Sequence, residues 1–179
     1  MKINPNKYFG VTTESLRTES FNISLTNHSV NSNIPLHSHD KPYLCLLATG
    51  TYKEESNTAD IITQGEVLYR TANYEHSNNF SNKGGLCLNI EINDYQQFMS
   101  LNELQLPIEV SKQKGTVELY KLLYGLKQGL SNDILDIYCY ESMMAVINVF
   151  NGNGDINWVK KVKELINDNP LETISLDKL

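Results

Sequence analysis

From Tyr8 to about Ile92 the apolar residues fall in short runs, set apart by clusters of Asn, Ser, Gly, Asp and Pro. Phe21-Asn-Ile-Ser-Leu-Thr26, Tyr43-Leu-Cys-Leu-Leu47, Ile61-Ile-Thr63, Val67-Leu-Tyr-Arg-Thr71 and Leu86-Cys-Leu-Asn-Ile-Glu-Ile92 each suit a strand of ordinary length. No helical period links them. The pattern therefore predicts a mainly β unit, a sandwich or barrel, and disfavours a parallel sheet with helical crossovers.

After Pro107 the period changes. Val117, Tyr120, Leu123, Tyr124 and Leu126 recur at helical spacing, and Ile134, Ile137, Tyr138, Met144 and Ile147 do so in the next segment. Gly129-Leu-Ser-Asn-Asp133 breaks the two helices apart and offers Ser131 or Asn132 as an N-cap. A third helix is expected with Trp158, Val162, Leu165 and Ile166 on one face, closing at Asn167-Asp-Asn-Pro170. Ser175-Leu-Asp-Lys-Leu179 has the form of an N-cap and first turn of a fourth, and the chain is expected to be cut off there.

The composition narrows the class. The 179 residues carry a net charge of −6, with most of the acidic excess in residues 1–110. No basic stripe is present to neutralise phosphates, so this stretch of chain is expected to bind nucleic acid poorly. Lys160, Lys161 and Lys163 read as a solvated helix face. No apolar run reaches membrane-spanning length and the N-terminus lacks a signal-peptide core, which gives the expectation of a cytoplasmic protein. Three widely spaced cysteines, Cys45, Cys87 and Cys139, fit reduced and buried thiols.

The chemistry concentrates in the histidines. His37-Ser-His39 sets two imidazoles at i and i+2, on one face of a strand, within His-x-His-x3-Tyr43-x6-Gly50. A second stretch reads Gly65-x5-Thr71-x-Asn73-x2-His76-x3-Phe80. His37, His39 and His76 suffice for a tetrahedral site holding zinc or a similar divalent metal with one position open. They equally suit the polar wall of a ligand pocket, or satisfied core histidines. By alternation from the histidine pair, Tyr43, Cys45 and Leu47 face the same interior. Cys45 reads as a small buried hydrophobe rather than a reactive thiol. His28, in Thr26-Asn-His-Ser29, reads as a solvated turn residue.

The two spaced stretches resemble the paired motifs of cupins. The resemblance implies a double-stranded β-helix, or jelly-roll, barrel over residues 1–110, with helices after it. It also implies a metal-binding carboxylate where this chain has Tyr43, Pro and Gly where it has Thr71 and Asn73, and Asn where it has Phe80.

The order of parts, with Leu171-Glu-Thr-Ile-Ser-Leu-Asp-Lys-Leu179 at the end, is similar to AraC family transcriptional regulators. That similarity implies an effector-sensing barrel whose N-terminal segment closes over the pocket, and a helical dimerisation and relay region at 111–152. Residues 153–179 would begin a helix-turn-helix domain whose DNA-reading helices lie beyond Leu179. His37, His39, Tyr43, Cys45 and His76 would then contact a small polar effector, in a homodimer that is not an enzyme. The competing expectation is a metal-dependent cupin dioxygenase or isomerase, with the three histidines on iron, manganese or zinc.

Overall fold

The structure, a computed structural model, describes residues 1–3, 7–18, 20–93 and 111–150, without the side chains of residues 3, 111 and 148–150. The expected third helix with Trp158 and its lysines, and the start of a helix-turn-helix, lie outside the described residues. The strands are β1 (Lys2–Ile3), β2 (Val11–Arg17), β3 (Phe21–His28), β4 (Asn33–His39), β5 (Tyr43–Glu55), β6 (Ala59–Thr63), β7 (Glu66–Arg70), β8 (His76–Ile92) and β9 (Ser111–Lys114). Two helices follow, α1 (Val117–Gln128) and α2 (Asn132–Phe150).

Two long strands organise everything else. β5 and β8 run antiparallel along nearly their whole lengths, from Tyr43 opposite Glu91 to Glu55 opposite Ser77. Each changes its outer partner halfway. The first half of β5 pairs with β7 (Tyr43 opposite Arg70) and its second half with β6 (Thr51 opposite Thr63). Likewise β8 pairs first with β4 (His37 opposite His76) and then with β3 (Phe21 opposite Ile92). The two strands thus serve two sheets, one with β2, β3, β7 and β9 and the other with β1, β4 and β6. This connectivity is the jelly-roll barrel, mainly β with helices after it, that the sequence predicts.

The fold line falls at glycines. Gly50 has φ of +93°, and a Cβ built there would sit 2.0 Å from the carbonyl oxygen of Gly84 on the facing strand. Only a residue without a side chain lets the backbones approach so closely. The β5–β8 register shifts on both sides of this point, between Leu47 and Thr49 and between Gly50 and Tyr52. Such bulges bend the ribbon and re-aim its side chains.

Alternation sorts the core into two layers. Phe21, Ile23, Leu25, Leu44, Leu46, Val67, Leu88 and Ile90 point out of the barrel, beneath α1 and α2. Tyr43, Cys45, Leu47, Tyr52, Ile62, Leu68, Phe80 and Cys87 point in. β5 is read by both layers, one residue apart.

The helices lie where the spacing predicts, and Ser131, whose carbonyl accepts from the Leu135 amide, precedes α2 in the N-cap position. Their buried faces include the expected Leu126 and Ile147, with Leu123 and Tyr138 packed at the edge, and differ elsewhere. α1 buries Leu119, Leu122 and Leu126, while Tyr120 and Tyr124 are 41% and 65% exposed. α2 buries Leu135, Cys139, Met143, Val146 and Ile147, leaving Ile134 and Ile137 in solvent. Both helices carry apolar residues on more than one face. The flat outer face of the sheet takes the aliphatic stripe of α1 and sheds the bulkier tyrosines.

The strands also run further than their apolar cores suggest. β5 continues through Thr49–Glu55 and β8 begins at His76, through Ser, Asn, Lys and Gly residues that by composition belong to loops. Paired neighbours on both sides hold this polar backbone in ladders.

Gly50→Ala is expected to cost about 3 kcal/mol or more, through a left-handed backbone conformation plus the collision with Gly84. Gly129→Ala, at the left-handed cap of α1 with open space around it, is expected to cost about 1 kcal/mol. Urea titrations of the two variants side by side measure the contrast, and equal losses would contradict the role of the Gly50–Gly84 contact.

Candidate functional site

The inward faces of the two sheets enclose a cavity of about 40 Å³. His37 and His39 enter it from the end of β4, and His76 opens β8 directly opposite His37. Their ring centroids lie 4.2 Å apart for His37–His76, 5.2 Å for His37–His39 and 6.2 Å for His39–His76. One nitrogen from each ring falls within 4.8 Å of the others. All three residues are buried.

The local backbone sets the tautomers. Nδ1 of His37 lies 2.9 Å from the Pro35 carbonyl oxygen, and Nδ1 of His76 lies 3.2 Å from that of Tyr74. A carbonyl only accepts, so each Nδ1 carries the proton and each Nε2 presents a lone pair. Tyr43 donates its hydroxyl to Nε2 of His76 at 3.4 Å. Asn73, where cupins have Gly, adopts a left-handed φ of 61° that Asn tolerates. Its amide donates to the His39 carbonyl at 2.7 Å and pins the loop before β8 to the end of β4.

Burial keeps the imidazoles neutral. Loss of solvation pulls His76 down to about 2 and His39 to about 3, and the nearby Arg70 cation and the neighbouring histidines add to the effect. His37 is lowered by the same burial, opposed in part by its bond to Pro35.

These are features of a metal ligand set: neutral rings, one converging nitrogen from each, and in His37 and His76 an Nδ1 oriented by a backbone carbonyl. The residues fit a divalent ion of the zinc type, with His37, His39 and His76 as its holders.

Arg70 of β7 forms the opposite wall with Glu54 and Tyr52 of β5. Its Nη2 donates to the Tyr52 hydroxyl at 2.8 Å and to the Glu54 carboxylate, which also accepts from the Asn78 amide at 3.1 Å. Arg70 is 2% exposed, its guanidinium carbon lies 5.4 Å from the centre of the Tyr43 ring, and its Nε has no protein partner. Beside it lie the thiols of Cys45 and Cys87, which line the same cavity. The neighbouring Cys87 thiol and the Arg70 cation pull Cys45 below the ordinary thiol range, while Cys45 and burial push Cys87 well up.

The mouth is roofed by aromatic rings from the segment before β2. Tyr8 stacks on His39 with centroids 5.0 Å apart, and Phe9 meets His37 edge-on at 4.9 Å.

The structure therefore gathers His37, His39, Tyr43, Cys45 and His76 around one cavity. His28 departs from its expected place. It is the last residue of β3, 8% exposed, stacked on Phe80 at 4.2 Å with its Nε2 3.3 Å from the Thr26 hydroxyl oxygen. Extension of β3 past Thr26 turns it inward with Ser24 and Thr26, so it lines the cavity rather than a solvated turn. Glu54 and Tyr52 were hidden from sequence reasoning by the bulges around Gly50, whereas Asn78 follows from His76 by alternation along β8. Inward residues are odd-numbered up to Leu47 and even-numbered from Tyr52, so simple alternation sends Glu54 outward.

No protein-family model and no curated protein matches the chain. Solved structures do. A cupin superfamily protein from Desulfitobacterium hafniense is 15% identical, with a TM-score of 0.43 over 47% of this chain and 77% of its own. A cupin domain from Bordetella pertussis is 20% identical, with a TM-score of 0.42 over 49% and 98%. An RmlC-like cupin from Shewanella frigidimarina is 12% identical, with a TM-score of 0.41 over 47% and 77%. The strand connectivity itself is what identifies the barrel.

His28 gives the site a measurable acid dependence. Burial lowers it from 6.5 to about 4, so the folded state binds fewer protons than the unfolded chain and stability falls as pH drops from 6.5 towards 4. His28→Gln is expected to remove about 2 kcal/mol of that loss. Urea unfolding of both proteins at the two ends of this window measures it; identical pH slopes would place His28 in solvent.

Proposed function

We propose that the barrel is the sensing part of a DNA-binding transcriptional regulator, in which a small polar effector at His37, His39, Tyr43, Cys45 and His76 biases the helices behind it. One observation carries this reading. β5 presents Tyr43 and Cys45 to the cavity and Leu44 and Leu46 to the helix layer, so a shift of that strand on binding acts on α1 and α2 directly. Only a difference in the effector's affinity for two arrangements does work of this kind.

The remaining parts follow. Tyr8 and Phe9 fill the mouth of a cavity of about 40 Å³, room for about three waters, so an effector of sugar size has to displace them. Glu54 neutralises Arg70, which leaves the interior without net charge and favours neutral or zwitterionic compounds over strong anions. Exposed Tyr120, Tyr124, Ile134, Ile137 and Tyr140 on the helices support pairing of two copies. DNA contact is assigned to residues outside this barrel. On this reading the chain has no catalytic role.

The converging ring nitrogens of His37, His39 and His76 favour a second reading, a metal-dependent enzyme such as a dioxygenase or isomerase. Bound zinc, iron or manganese would supply Lewis acidity there. His37 and His76 would hold it through Nε2, their Nδ1 protons kept on the Pro35 and Tyr74 carbonyls. Tyr43 would keep a hydroxyl proton available to a neighbouring ligand atom.

A thermal-shift screen of small neutral and zwitterionic metabolites, without added metal, tests the first reading. A stabilising compound is expected to lose its effect in the His37→Ala, His76→Ala double variant, and a shift that survives in that variant removes these residues from the site. Elemental analysis of untagged protein tests the second. About one equivalent of zinc, iron or manganese supports it, and less than about a tenth rejects it.

A further inference from the structure

We propose that Cys45 and Cys87 form a dithiol that a hydroperoxide small enough to enter the cavity converts into a disulfide. The two residues lie on adjacent antiparallel strands and face the same interior, Cys45 opposite Asn89 and Cys87 opposite Leu47. Each is 4% exposed, and both line the cavity floor beneath the histidines. Cys45, Cys87 and Arg70 line the same cavity, and Arg70 is a buried cation whose Nε has no protein partner. A guanidinium sharing a cavity with a thiol stabilises the thiolate, the form that attacks peroxides. Neither the effector reading nor the metal reading uses this pair as a nucleophile.

The chemistry balances with hydrogen peroxide as oxidant. The Cys45 thiolate attacks one peroxide oxygen, the S–O bond forms as the O–O bond breaks, and the departing hydroxide takes a proton to become water. The sulfur of Cys87 then attacks the Cys45 sulfenic acid, losing its proton. The S–S bond forms, the S–O bond breaks, and a second water leaves. Two thiols and one peroxide give one disulfide and two waters.

The cavity selects the oxidant. At about 40 Å³ beneath the rings of Tyr8 and Phe9, it admits a molecule of two heavy atoms and excludes a tripeptide disulfide. The third thiol, Cys139, is buried in the helix layer away from this cavity and serves as an internal control.

The bond would also pull on the fold. Diagonal pairs across antiparallel strands sit about 7 to 8 Å apart at Cα, whereas disulfides span at most about 6.8 Å. The two strands are already paired, so closing the bridge slides β5 along β8 at the level where Leu44, Leu46 and Leu88 seat the helices.

The test exposes the whole folded chain to hydrogen peroxide, quenches it, unfolds it and counts thiols by maleimide labelling and peptide mass mapping. Free thiols are expected to fall from three to one per chain, with a peptide linking Cys45 to Cys87 that dithiothreitol releases. Cys139→Ser should still lose two thiols, Cys45→Ser and Cys87→Ser should yield no bridge, and glutathione disulfide should leave all thiols free. Three thiols surviving peroxide, oxidation of Cys45 without a link to Cys87, a bridge to Cys139, or a mixed disulfide with glutathione would each overturn the proposal. The map of the unmutated chain decides the case even if a variant fails to fold.

Discussion

The near-contact of Gly50 with Gly84 is the constraint on which the rest of the molecule depends. It lets a single two-stranded ribbon bend and serve two sheets, so that β4 and β6 line one wall of the cavity and β3 and β7 the other. A ribbon that stayed flat would leave His76 at one end and Glu91 at the other, on one open surface. Bent, it turns Arg70 of β7 towards the His37–His76 pair that β4 and β8 align in their own ladder. The site is a product of strand register more than of any local motif.

The polar interior has its own logic. Asn22, Ser24, Thr26, Asn89 and Glu91 are buried on inward faces where a sandwich of this size would ordinarily place aliphatic residues. Most of their polar atoms are paired: Asn89 donates to Thr26 and Ser24, and Glu91 takes Lys41 at 3.3 Å and the Asn22 amide, while the side-chain oxygen of Asn22 has no protein partner. Buried polar groups left unpaired would cost more than the apolar residues they replace. Networks of this kind fix one arrangement of strands, and they also keep the chamber hospitable to polar atoms. Hydrophobic weight is carried instead on the opposite face of the same sheet, under the helices.

Much of this was legible in the sequence, and the limits have physical causes. His-x-His in a strand, with a third histidine one motif later, identified three rings that do converge, because i and i+2 share a face of a strand and the β4–β8 register sets His76 against His37. Tyr43 and Cys45 followed by alternation. Alternation failed at Gly50, where a bulge shifts the inward set by one residue and hides Glu54 and Tyr52. It also failed at His28, where a strand outlasts its apolar run. The helices were legible in position and not in rotation, because Tyr120, Tyr124, Ile134 and Ile137 are as apolar as the residues that pack. The Cys45–Cys87 contact was invisible, since nothing in a single strand's pattern states which residue faces it across the ladder.

The buried Arg70–Glu54 pair has a consequence for anything that enters the chamber. Two opposite charges fixed a few bonds apart, shielded from solvent and held by Tyr52 and Asn78, form a permanent dipole in a medium where fields are weakly screened. An incoming molecule gains little from its net charge there. It gains from the direction in which its own bonds are polarised, so the wall acts as a compass that discriminates between two orientations of the same compound.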